Sequence, residues 1–326
     1  MTGSLTAAAT AAYHRDGYHF PIRAFTAPEA AALLIRLRET EAALGGRLEG
    51  RMNQKPHLLF PWLHALVTHP AVLDAVESVI GPDILCWGSQ FFSKPAGDPA
   101  YVSWHQDGTY WGLSAPEVVT AWIAFTPSVP ESGNMRVVPG THRAPVPHTD
   151  TYAEANLLSR GQEVAVAVDP AAAVDITLQP GEMSLHHVLI VHGSEPNRAA
   201  WPRIGFAIRY VPTHLRQRSG ERDSALLVRG TDRYGILRRS SRRKRRCIRM
   251  RWRGMPRSSI GNWPSSTGAP PSPASSGRRS HRPGALTSCS AVPGSRQSRR
   301  ISPCRPSNPP ARCLAPPYTA WICRSP

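Results

Sequence analysis

The chain has 326 residues, enough for one large domain or two ordinary ones, and a formal net charge of +17 at pH 7. This charge is concentrated at one end, because 20 of the 39 Lys and Arg residues and none of the 22 Asp and Glu residues follow Gly235. Residues 1–235 therefore carry 19 basic and 22 acidic residues, a net charge of −3, which argues against a basic nucleic-acid-binding or membrane-binding surface in that part.

The beginning of the chain, "MTGSLTAAATAAYHRDG", has no basic start and no long Leu, Val or Ile core, so we expect no secretory signal. No run approaches 18 apolar residues, which predicts that no transmembrane helix is present. Cys86 is the one cysteine of residues 1–235, and such sparse use fits a reducing compartment. These features predict a cytoplasmic protein without a membrane partner.

Two helices are predicted before the first strand. "TAPEAAALLIRLRETEAALG" (26–45) has a Thr N-cap, a Pro in the first turn, apolar residues at helical spacing and a terminal Gly. "PAVLDAVESVIGPD" (70–83) is a shorter helix that ends at Gly-Pro.

From Ile84 onward, short segments rich in β-branched and aromatic residues alternate with Gly, Pro and Asn turns, as is typical of strands. The predicted strands are "ILCWGSQFFSK", "YVSWHQD", "VVTAWIAFTP", "MRVVPGTH", "EVAVAVD", "ITLQPGEMSLHH" and "RIGFAIRYVP". Many short strands at this spacing favour a mainly β fold, a sandwich or a barrel, with the helices packed on its outside.

Residues 236–326 have a different composition, with 14 Pro, 17 Ser and no acidic residue. A segment with so few apolar residues at strand or helix spacing cannot offset the entropy of ordering it, so we predict a disordered basic tail. Three origins stay open: a shifted reading frame of a GC-rich gene, a solvated tail, or an arm that binds nucleic acid through its phosphates. The predicted domains are 1–235, which is ordered, and 236–326, which is the tail.

The first chemically informative motif is "SWHQDGTYW" (103–111). On a strand, residues i and i+2 point to the same side, so His105 and Asp107 share one face and can occupy two adjacent positions of a metal. A hydrogen-bonded surface pair is the alternative for this motif taken alone. The third ligand is expected from "LIVHGSEPN", where His192 ends an apolar strand. Two histidines and one carboxylate on one face form the arrangement found in non-haem Fe(II) oxygenases, whereas zinc favours a more closed site.

The strand "RIGFAIRYV" (203–211) places Arg203, Gly205, Ala207 and Arg209 on one face and Ile204 among the apolar residues of the other. An arginine followed by two small residues leaves room for a bound molecule, and its guanidinium is suited to bidentate capture of a carboxylate. A ligand with a carboxylate distant from its metal-binding end, as in 2-oxoglutarate, fits this face. Arg209 is the alternative carboxylate binder if the strand register shifts.

In this order along the chain, the segments "HRDGYHFPI", "SWHQD", "MRVVPGTHR", "HGSEPN" and "RIGFAIRYV" resemble the phytanoyl-CoA dioxygenase-like family of Fe(II)/2-oxoglutarate oxygenases. The resemblance covers residues 13–235. It implies a double-stranded β-helix, a jelly-roll barrel of the cupin type, which agrees with the strand-rich pattern.

The resemblance also implies roles for individual residues. His105, Asp107 and His192 would hold Fe(II), and Arg203 would hold the distal carboxylate of 2-oxoglutarate. The remaining expected cosubstrate contacts are Ser194, Trp122, Gln90 and Lys55.

In related halogenases a small residue replaces the carboxylate ligand, so the presence of Asp107 indicates hydroxylation. The expected activity is a dioxygenase that uses dioxygen and 2-oxoglutarate to hydroxylate a small organic metabolite, with release of succinate and CO2.

Two other functions stay open at this stage. A non-catalytic barrel, or a protein that binds nucleic acid through its basic tail, would keep the fold without the chemistry. A site of the same residues holding zinc would favour hydrolysis instead. The sequence predicts a small-molecule partner, but it identifies neither the substrate nor the oligomeric state. Its lid is expected from residues 108–117 and 144–162.

Overall fold

The computed structural model describes residues 3–220 and 223–241. Four α-helices precede or flank the first strands: α1 Ala7–Asp16, α2 Ala27–Leu44, α3 Pro61–Val67 and α4 Pro70–Ile80. The strands are β1 Tyr18–Arg23, β2 Ile84–Lys94, β3 Val102–His105, β4 Val119–Ala124, β5 Met135–Val138, β6 His148–Asp150, β7 Gln162–Val164, β8 Val174–Ile176, β9 Glu182–His187, β10 Val191–Ser194, β11 Arg203–Pro212, β12 Ser224–Arg229 and β13 Arg238–Arg239.

The strands form two main sheets. The larger has seven strands in the order β1-β9-β4-β11-β2-β12-β13, and the smaller has four in the order β3-β10-β5-β8. The pairs are antiparallel except for β12 with β13, and neighbours in each sheet come from distant parts of the chain. The predicted double-stranded β-helix with flanking helices is therefore confirmed.

The long helix α2 begins and ends where the sequence predicts. The Thr26 side chain accepts a hydrogen bond from the Glu29 N–H, and the Glu29 carboxylate accepts one from the Thr26 N–H, which is a capping box. At the other end Gly45 has φ +75°, the left-handed conformation that terminates many helices.

One face of the seven-stranded sheet is covered by the helices. In β11 the residues Ile204, Phe206 and Ile208 are buried in the same cluster as Leu63 of α3 and Val72 of α4. This cluster removes the apolar side of the sheet from water and fixes the sheet against a rigid helical layer. The side chains of the opposite face are thereby directed into the barrel.

The interior lies between the two sheets. Trp122 and Ala207 of the larger sheet pack there with Met135, Val137 and Ile176 of the smaller one. The predicted alternation in β11 is confirmed, because its odd-numbered residues from 203 to 209 face this interior and its even-numbered residues face the helices.

The predicted strands 101–107, 118–127 and 135–142 extend past the ends of β3, β4 and β5, and two further predictions differ more. The segment 163–169 was expected to be one strand, but β7 ends at Val164 and residues 165–169 continue without a sheet partner among the described residues. The segment 176–187 was also expected to be one strand, but it contains the end of β8 and, after a Gln-Pro-Gly turn, β9. Apolar alternation alone does not reveal where a strand loses its partner.

The ordered domain continues beyond the predicted boundary at Gly235. Arg238 and Arg239 pair with Ser224 and Ala225 of β12, and the side chain of Leu237 is buried beside them. Arg238 and Arg239 are thus part of the sheet and Leu237 is part of a buried cluster, which corrects their assignment to a disordered tail. The prediction for residues 242–326 lies outside the described residues.

Within residues 3–220 and 223–241, no single helix has the length and hydropathy of a membrane span. Only α3 and α4 together, bent by 41° at their junction, reach that length and composition.

Candidate metal and cosubstrate site

Two of the candidate ligands meet because their strands are neighbours. His105, the last residue of β3, lies directly opposite His192 of β10 in the antiparallel register, and their ring centroids are 4.1 Å apart. Directly opposite residues bring their Cβ atoms within about 5 Å. The structure corrects one expectation: β10 runs on through Ser194, so His192 lies within the strand rather than at its end.

The orientation of both rings is fixed by the backbone of their own strands. Nδ1 of His105 lies 2.9 Å from the carbonyl oxygen of Ser103, and Nδ1 of His192 lies 3.0 Å from that of Ile190. Because a carbonyl only accepts hydrogen bonds, each Nδ1 must carry the proton. Each Nε2 therefore presents its lone pair, which is the tautomer that binds a metal.

Asp107 completes the set from a turn. β3 ends at His105, and Asp107 begins the 3₁₀ turn Asp107–Thr109, so the expectation that both lie on one strand is wrong. Gln106 between them keeps an extended backbone, with φ −114° and ψ 124°, so the two side chains still point to the same side. An Asp107 carboxylate oxygen lies 3.4 Å from His105 Nε2, and one donor atom from each of the three residues falls within 4.8 Å of the others.

The electrostatics favour the protonation states that bind a cation. Burial, together with the charge of His105, lowers the pKa of His192 to about 4. Burial alone would raise the pKa of Asp107, but the neighbouring His105, His192 and Arg209 together hold it well below its usual range. At neutral pH the site therefore offers a neutral imidazole at His192 and an ionised carboxylate at Asp107.

Gln106 supports this turn and was not predicted as part of the site. Its buried amide donates to the carbonyl of Leu189 at 2.6 Å and to that of Ala144 at 3.0 Å, and its oxygen accepts from the N–H of Val146. Its position between the two ligands, facing away from them, is the signal that could have identified it. The residue ties the metal-side turn to the loops on either side of it.

Arg203, the first residue of β11, lies at the same cavity with its guanidinium 5.6 Å from the centre of the Trp122 indole. Burial lowers the pKa of Arg203 to about 10, so the side chain stays charged at neutral pH. Its Nε has no hydrogen-bond partner among the described residues. An unsatisfied buried guanidinium N–H is costly, which indicates that a ligand supplies the missing acceptor.

Gly205 has a different role from the predicted one. A Cβ at this position would lie 1.8 Å from Cζ2 of Trp122, so the space beside Gly205 is filled by the indole and not by a ligand. The glycine allows Trp122 to lie flat against β11 and beneath the guanidinium of Arg203.

Ser194 lies at the end of β10 and lines the same cavity. Its hydroxyl accepts a hydrogen bond of 2.8 Å from the ammonium of Lys94, which also donates to the carbonyl oxygens of Ser194 and Glu195. Lys94 is fully buried and lies opposite Arg203 in the sheet; burial, followed by the charge of Arg203, lowers its pKa to about 7. Lys94 was not predicted as a site residue, although a charged residue at the end of the apolar strand β2 is a signal that could have identified it.

The structure separates the two least specific candidates from the centre of the site. Gln90 lies opposite Ala207 in β2, which places it on the face that looks into the barrel, although it is not among the residues that line the cavity. Lys55 binds elsewhere: its ammonium contacts the Asp223 carboxylate at 3.1 Å and the Ser224 carbonyl at 2.7 Å. Lys55 therefore joins an early loop to β12 and is not brought to the metal ligands.

A single cavity contains most of the predicted site residues. Its wall is formed by both sheets and by one residue of the expected lid segment 144–162: Phe92, Val102, His105, Asp107, Thr120, Trp122, Met135, Leu158, His192, Gly193, Ser194, Arg203, Ala207 and Arg209. The metal donors come from the smaller sheet and its turn, whereas both arginines come from β11 of the larger sheet.

These residues fit Fe(II) and 2-oxoglutarate. Two imidazole nitrogens and one carboxylate on one side of a cavity leave coordination positions open, as the facial arrangement of non-haem Fe(II) sites requires. The unpartnered Nε of Arg203 supplies the matching group for a carboxylate.

Comparisons with known proteins agree with this geometry. A probable alpha-ketoglutarate-dependent hypophosphite dioxygenase of Stutzerimonas stutzeri is 30% identical over 167 residues, which cover 49% of this chain and 57% of that protein. The chain spans about half the length of the curated relatives it matches.

Solved structures resemble a larger part of the chain. A non-heme monooxygenase, ThoJ in its apo form, has 36% sequence identity and a TM-score of 0.64, and the match covers 72% of this chain and 87% of that one. CytC3 with Fe(II) and alpha-ketoglutarate has 26% identity and a TM-score of 0.55, over 73% of this chain and 94% of that one.

The sequence model of one family matches residues 5–205, which is more than half of the chain and contains all three candidate metal ligands together with Arg203. Fe(II) and 2-oxoglutarate are the cofactors that these comparisons and the His-Asp-His site assign to the chain. The chain belongs to the phytanoyl-CoA dioxygenase (PhyH) family of Fe(II)/2-oxoglutarate oxygenases.

Proposed function

We propose that this chain is an Fe(II)- and 2-oxoglutarate-dependent dioxygenase that hydroxylates a small organic molecule and releases succinate and CO2. The observation that carries the proposal is the cluster of His105, Asp107 and His192, whose donor atoms lie within 4.8 Å of one another beside a buried arginine without a hydrogen-bond partner at Nε. Residues 1–241 would form the oxygenase domain.

In this proposal, Nε2 of His105, Nε2 of His192 and the carboxylate of Asp107 hold the iron. The carbonyls of Ser103 and Ile190 keep the two rings turned so that the Nε2 lone pairs face the metal. No ligand has to reorient when the metal enters, which lowers the cost of binding.

Arg203 would bind the distal carboxylate of 2-oxoglutarate through its free guanidinium N–H groups. The Ser194 hydroxyl, whose oxygen already accepts from Lys94, would donate its proton to the same carboxylate. The indole of Trp122 would pack against the guanidinium. Gln90 and Lys55 are left out of this set, because Gln90 does not line the cavity and the Lys55 ammonium is bound to Asp223.

When bound, Fe(II) and 2-oxoglutarate together supply the oxidising chemistry that places one oxygen atom of dioxygen in the substrate and the other in succinate. The chain's own contribution is placement and exclusion of water. Phe92, Met135 and Leu158 give the cavity an apolar wall. Asp107 would supply the carboxylate ligand that related halogenases lack, which supports hydroxylation.

The relatives do not identify the substrate of this chain. Their names cite hypophosphite, ectoine, phytanoyl-CoA and 1-deoxypentalenic acid, which are chemically unlike one another. Within one fold the cavity wall and the lid select the substrate, so these relatives support no class narrower than a small molecule.

Anaerobic titration tests the proposal directly. Addition of 2-oxoglutarate to protein loaded with Fe(II) should give a weak visible charge-transfer band, and the Arg203→Gln variant should need a much higher concentration of 2-oxoglutarate for the same band. Admission of dioxygen should then convert 2-oxoglutarate to succinate, and a substrate should accelerate this conversion and gain 16 Da.

The surface variant Arg23→Gln is the matched control, because Arg23 is exposed and bound to Glu182 far from the cavity. It should behave like the unaltered chain. Absence of the band together with absence of succinate would contradict the proposal, and zinc in anaerobically purified protein would favour a hydrolytic site.

A further inference from the structure

The cavity holds a second charged group to which the proposed function gives no role. Arg209 lies on the same face of β11 as Arg203, three side-chain positions further along the strand, and it lines the cavity together with His105 and Asp107. At about 3.3 Å per residue the two Cα atoms are about 20 Å apart along the strand. The two arginines therefore serve different ends of the cavity.

The positions of the charges separate the two arginines further. Arg203 lies opposite Lys94 in the sheet, and the Lys94 ammonium donates to the Ser194 hydroxyl. Arg209 lies opposite Gly88 and Thr120, and it lines the cavity together with Asp107. Arg203 thus lies at the end where the distal carboxylate of the cosubstrate is proposed to bind, and Arg209 lies at the other end.

The guanidinium of Arg209 packs against two aromatic rings and is not paired with a carboxylate. Its guanidinium carbon lies 5.6 Å from the centre of the Phe92 ring and 5.4 Å from that of Trp111, and its Nε has no hydrogen-bond partner among the described residues. Arg229 shows how this chain satisfies an arginine structurally, because it pairs with Asp74 at 2.7 Å and with Glu77. No comparable carboxylate pair is found for Arg209 within residues 3–220 and 223–241.

The Nε–H of Arg209 is shielded from water although the residue is only partly buried, and a shielded N–H without an acceptor is costly unless a ligand supplies one. Next to Arg209 the hydroxyl oxygen of Thr120, its neighbour in the sheet, also has no hydrogen-bond partner and also lines the cavity. The two groups together offer several donors on one wall, in reach of a molecule that lies over the metal ligands.

The net charge of the cavity with metal and 2-oxoglutarate bound also favours an anionic ligand at Arg209. Its wall carries two guanidiniums and one carboxylate. A divalent metal and the dianion 2-oxoglutarate cancel one another, so the cavity keeps one net positive charge, which favours an anion as the remaining occupant.

We propose that Arg209 binds the substrate of this site and that the substrate is a small molecule with an oxyanion group, a carboxylate or a phosphonate. The oxyanion binds to the guanidinium where Arg209 lies between the rings of Phe92 and Trp111. This inference rests on the proposed function, because it assigns the second anion to a cavity that already holds 2-oxoglutarate. It gives Trp111 of "GTYW" a role as one side of the anion pocket.

The test uses the full chain loaded with Ni(II), which does not react with dioxygen, and saturated with 2-oxoglutarate. Benzoate, phenylphosphonate and the neutral benzamide are titrated at constant ionic strength, and binding is followed by calorimetry. We expect at least one of the two anions to bind and benzamide to bind at least about tenfold more weakly, because charge-assisted hydrogen bonds are lost. The stronger of the two anions identifies the class of oxyanion.

Arg209→Gln should weaken binding of that anion by about tenfold or more and change the affinity for 2-oxoglutarate by less than about threefold. Arg209→Lys keeps the charge without the planar fork and should give an intermediate loss; it also keeps the test decisive if the Gln variant does not fold. Arg203→Gln should show the reverse pattern, with 2-oxoglutarate weakened most. The exposed Arg23→Gln is the control and should leave both affinities unchanged.

Three results would overturn the inference: no binding of either anion, equal binding of benzamide, or anion binding that is unaffected by both Arg209 variants. Loss of 2-oxoglutarate affinity in Arg209→Gln but not in Arg203→Gln would overturn it as well. If the unaltered chain binds no 2-oxoglutarate, the proposed function fails, and the same anion titration of the metal-free chain still decides the role of Arg209.

Discussion

Each of the two candidate iron-binding histidines is oriented by a carbonyl two residues earlier in its own strand, Ser103 for His105 and Ile190 for His192. Outer contacts to metal ligands are often side chains, which a single substitution can remove. Here the contact is backbone, so substitution of a neighbouring side chain leaves the orientation intact. We therefore expect metal affinity to depend on the ligands themselves far more than on their neighbours.

Removal of one ligand tests this dependence. His192→Ala should lower the affinity for Fe(II) by about 100-fold or more, since loss of even an outer contact typically costs 10- to 100-fold. Metal content after anaerobic loading and gel filtration is the measurement. His214→Ala is the control, because His214 is 43% exposed and pairs with Glu117 at the surface. Equal iron content in the two variants would contradict the assignment of His192.

Gly205 makes a second prediction at the scale of single residues. Because an added Cβ would lie 1.8 Å from Trp122, Gly205→Ala must displace the indole that supports Arg203. We expect a loss of about 1–3 kcal/mol in the free energy of unfolding, as for other overpacked cores, and weaker binding of 2-oxoglutarate with the metal content retained.

Gly46→Ala is the matched control for this variant. Gly46 has no atom within 4 Å of an added Cβ, so the substitution should leave both stability and cosubstrate affinity nearly unchanged. If Gly205→Ala binds 2-oxoglutarate as tightly as the unaltered chain, Trp122 does not position Arg203.

Among the elements, the segment 148–164 is joined to the turn after the metal ligands. The hydroxyl of Tyr110 donates to the Asp150 carboxylate at 2.8 Å, and Arg160 both pairs with Asp150 and lies 5.2 Å over the Tyr110 ring. Leu158 of the same segment lines the cavity. The cluster holds one part of the cavity wall against the turn that carries Asp107.

Tyr110→Phe should loosen that part of the wall. Loss of the hydrogen bond to Asp150 should speed amide hydrogen exchange in residues 148–164 by about three- to tenfold, because a hydrogen bond to a charged group contributes about 1 kcal/mol or more. Tyr152→Phe serves as the control, since Tyr152 is 68% exposed and in the same segment. Equal exchange in both variants would show that the segment is held by other contacts.

Some elements were predictable from local pattern and some were not. β2 and β11 have the predicted bounds because each is a long apolar and β-branched run that ends at a turn, and α2 carries both of its caps in sequence. Asp107 was expected on a strand and lies in a turn, and β10 extends past His192, because the end of a strand is set by its partner rather than by its own residues.

The site shows the same division. His105, Asp107, His192 and Arg203 were found from spacing and resemblance, and the structure brings them to one cavity. Lys55 was expected there too, but its partner Asp223 is 168 positions away in the chain. The contact of Arg209 with Trp111 depends equally on the way distant segments pack, so spacing could not reveal it.

At the scale of the whole molecule, buried histidines make the fold sensitive to acid. Burial is the main cause that lowers the pKa of both His57 and His186 to about 3 from an ordinary value of 6.5. Below pH 6.5 the unfolded chain takes up protons that the folded chain does not, so stability is complete above that pH and falls as the pH approaches 3. At pH 5 each of the two histidines should lower the free energy of unfolding by about 2 kcal/mol.

Urea unfolding of the metal-free chain at pH 7 and pH 5 measures this loss. His57 and His186 should together contribute about 4 kcal/mol to the fall in the free energy of unfolding, and the lowered pKa values of His187 and His192 add to it. His57→Asn should reduce the difference by about 2 kcal/mol whatever its effect at pH 7. Gly46→Ala removes no titratable group and meets no atom within 4 Å of the added Cβ, so it should leave the difference unchanged. A pH-independent free energy would show that these side chains are protonated in the fold.

The extent of the ordered domain gives a final prediction. Leu237 is 3% exposed and packs with Val211 and Ala225, although it lies beyond the composition change at Gly235. Leu237→Ala should therefore cost about 2–3 kcal/mol in the free energy of unfolding. Arg239→Ala, at an exposed position of β13, should be nearly neutral. If both variants change the free energy of unfolding equally, Leu237 is not part of the ordered domain and the boundary lies at Gly235.

The origin of the cavity's groups in two separate sheets has a consequence for the length of the molecule that can be oxidised. The candidate metal ligands lie in β3, β10 and the adjoining turn, and both arginines lie in β11. In the proposed enzyme, the distance between the two sheets would therefore set the span from the guanidiniums to the oxidised carbon. Phe92 and Met135 line the cavity from opposite sheets. Exchanging them for larger or smaller side chains should move the oxidised carbon along a substrate chain while its anionic end stays anchored.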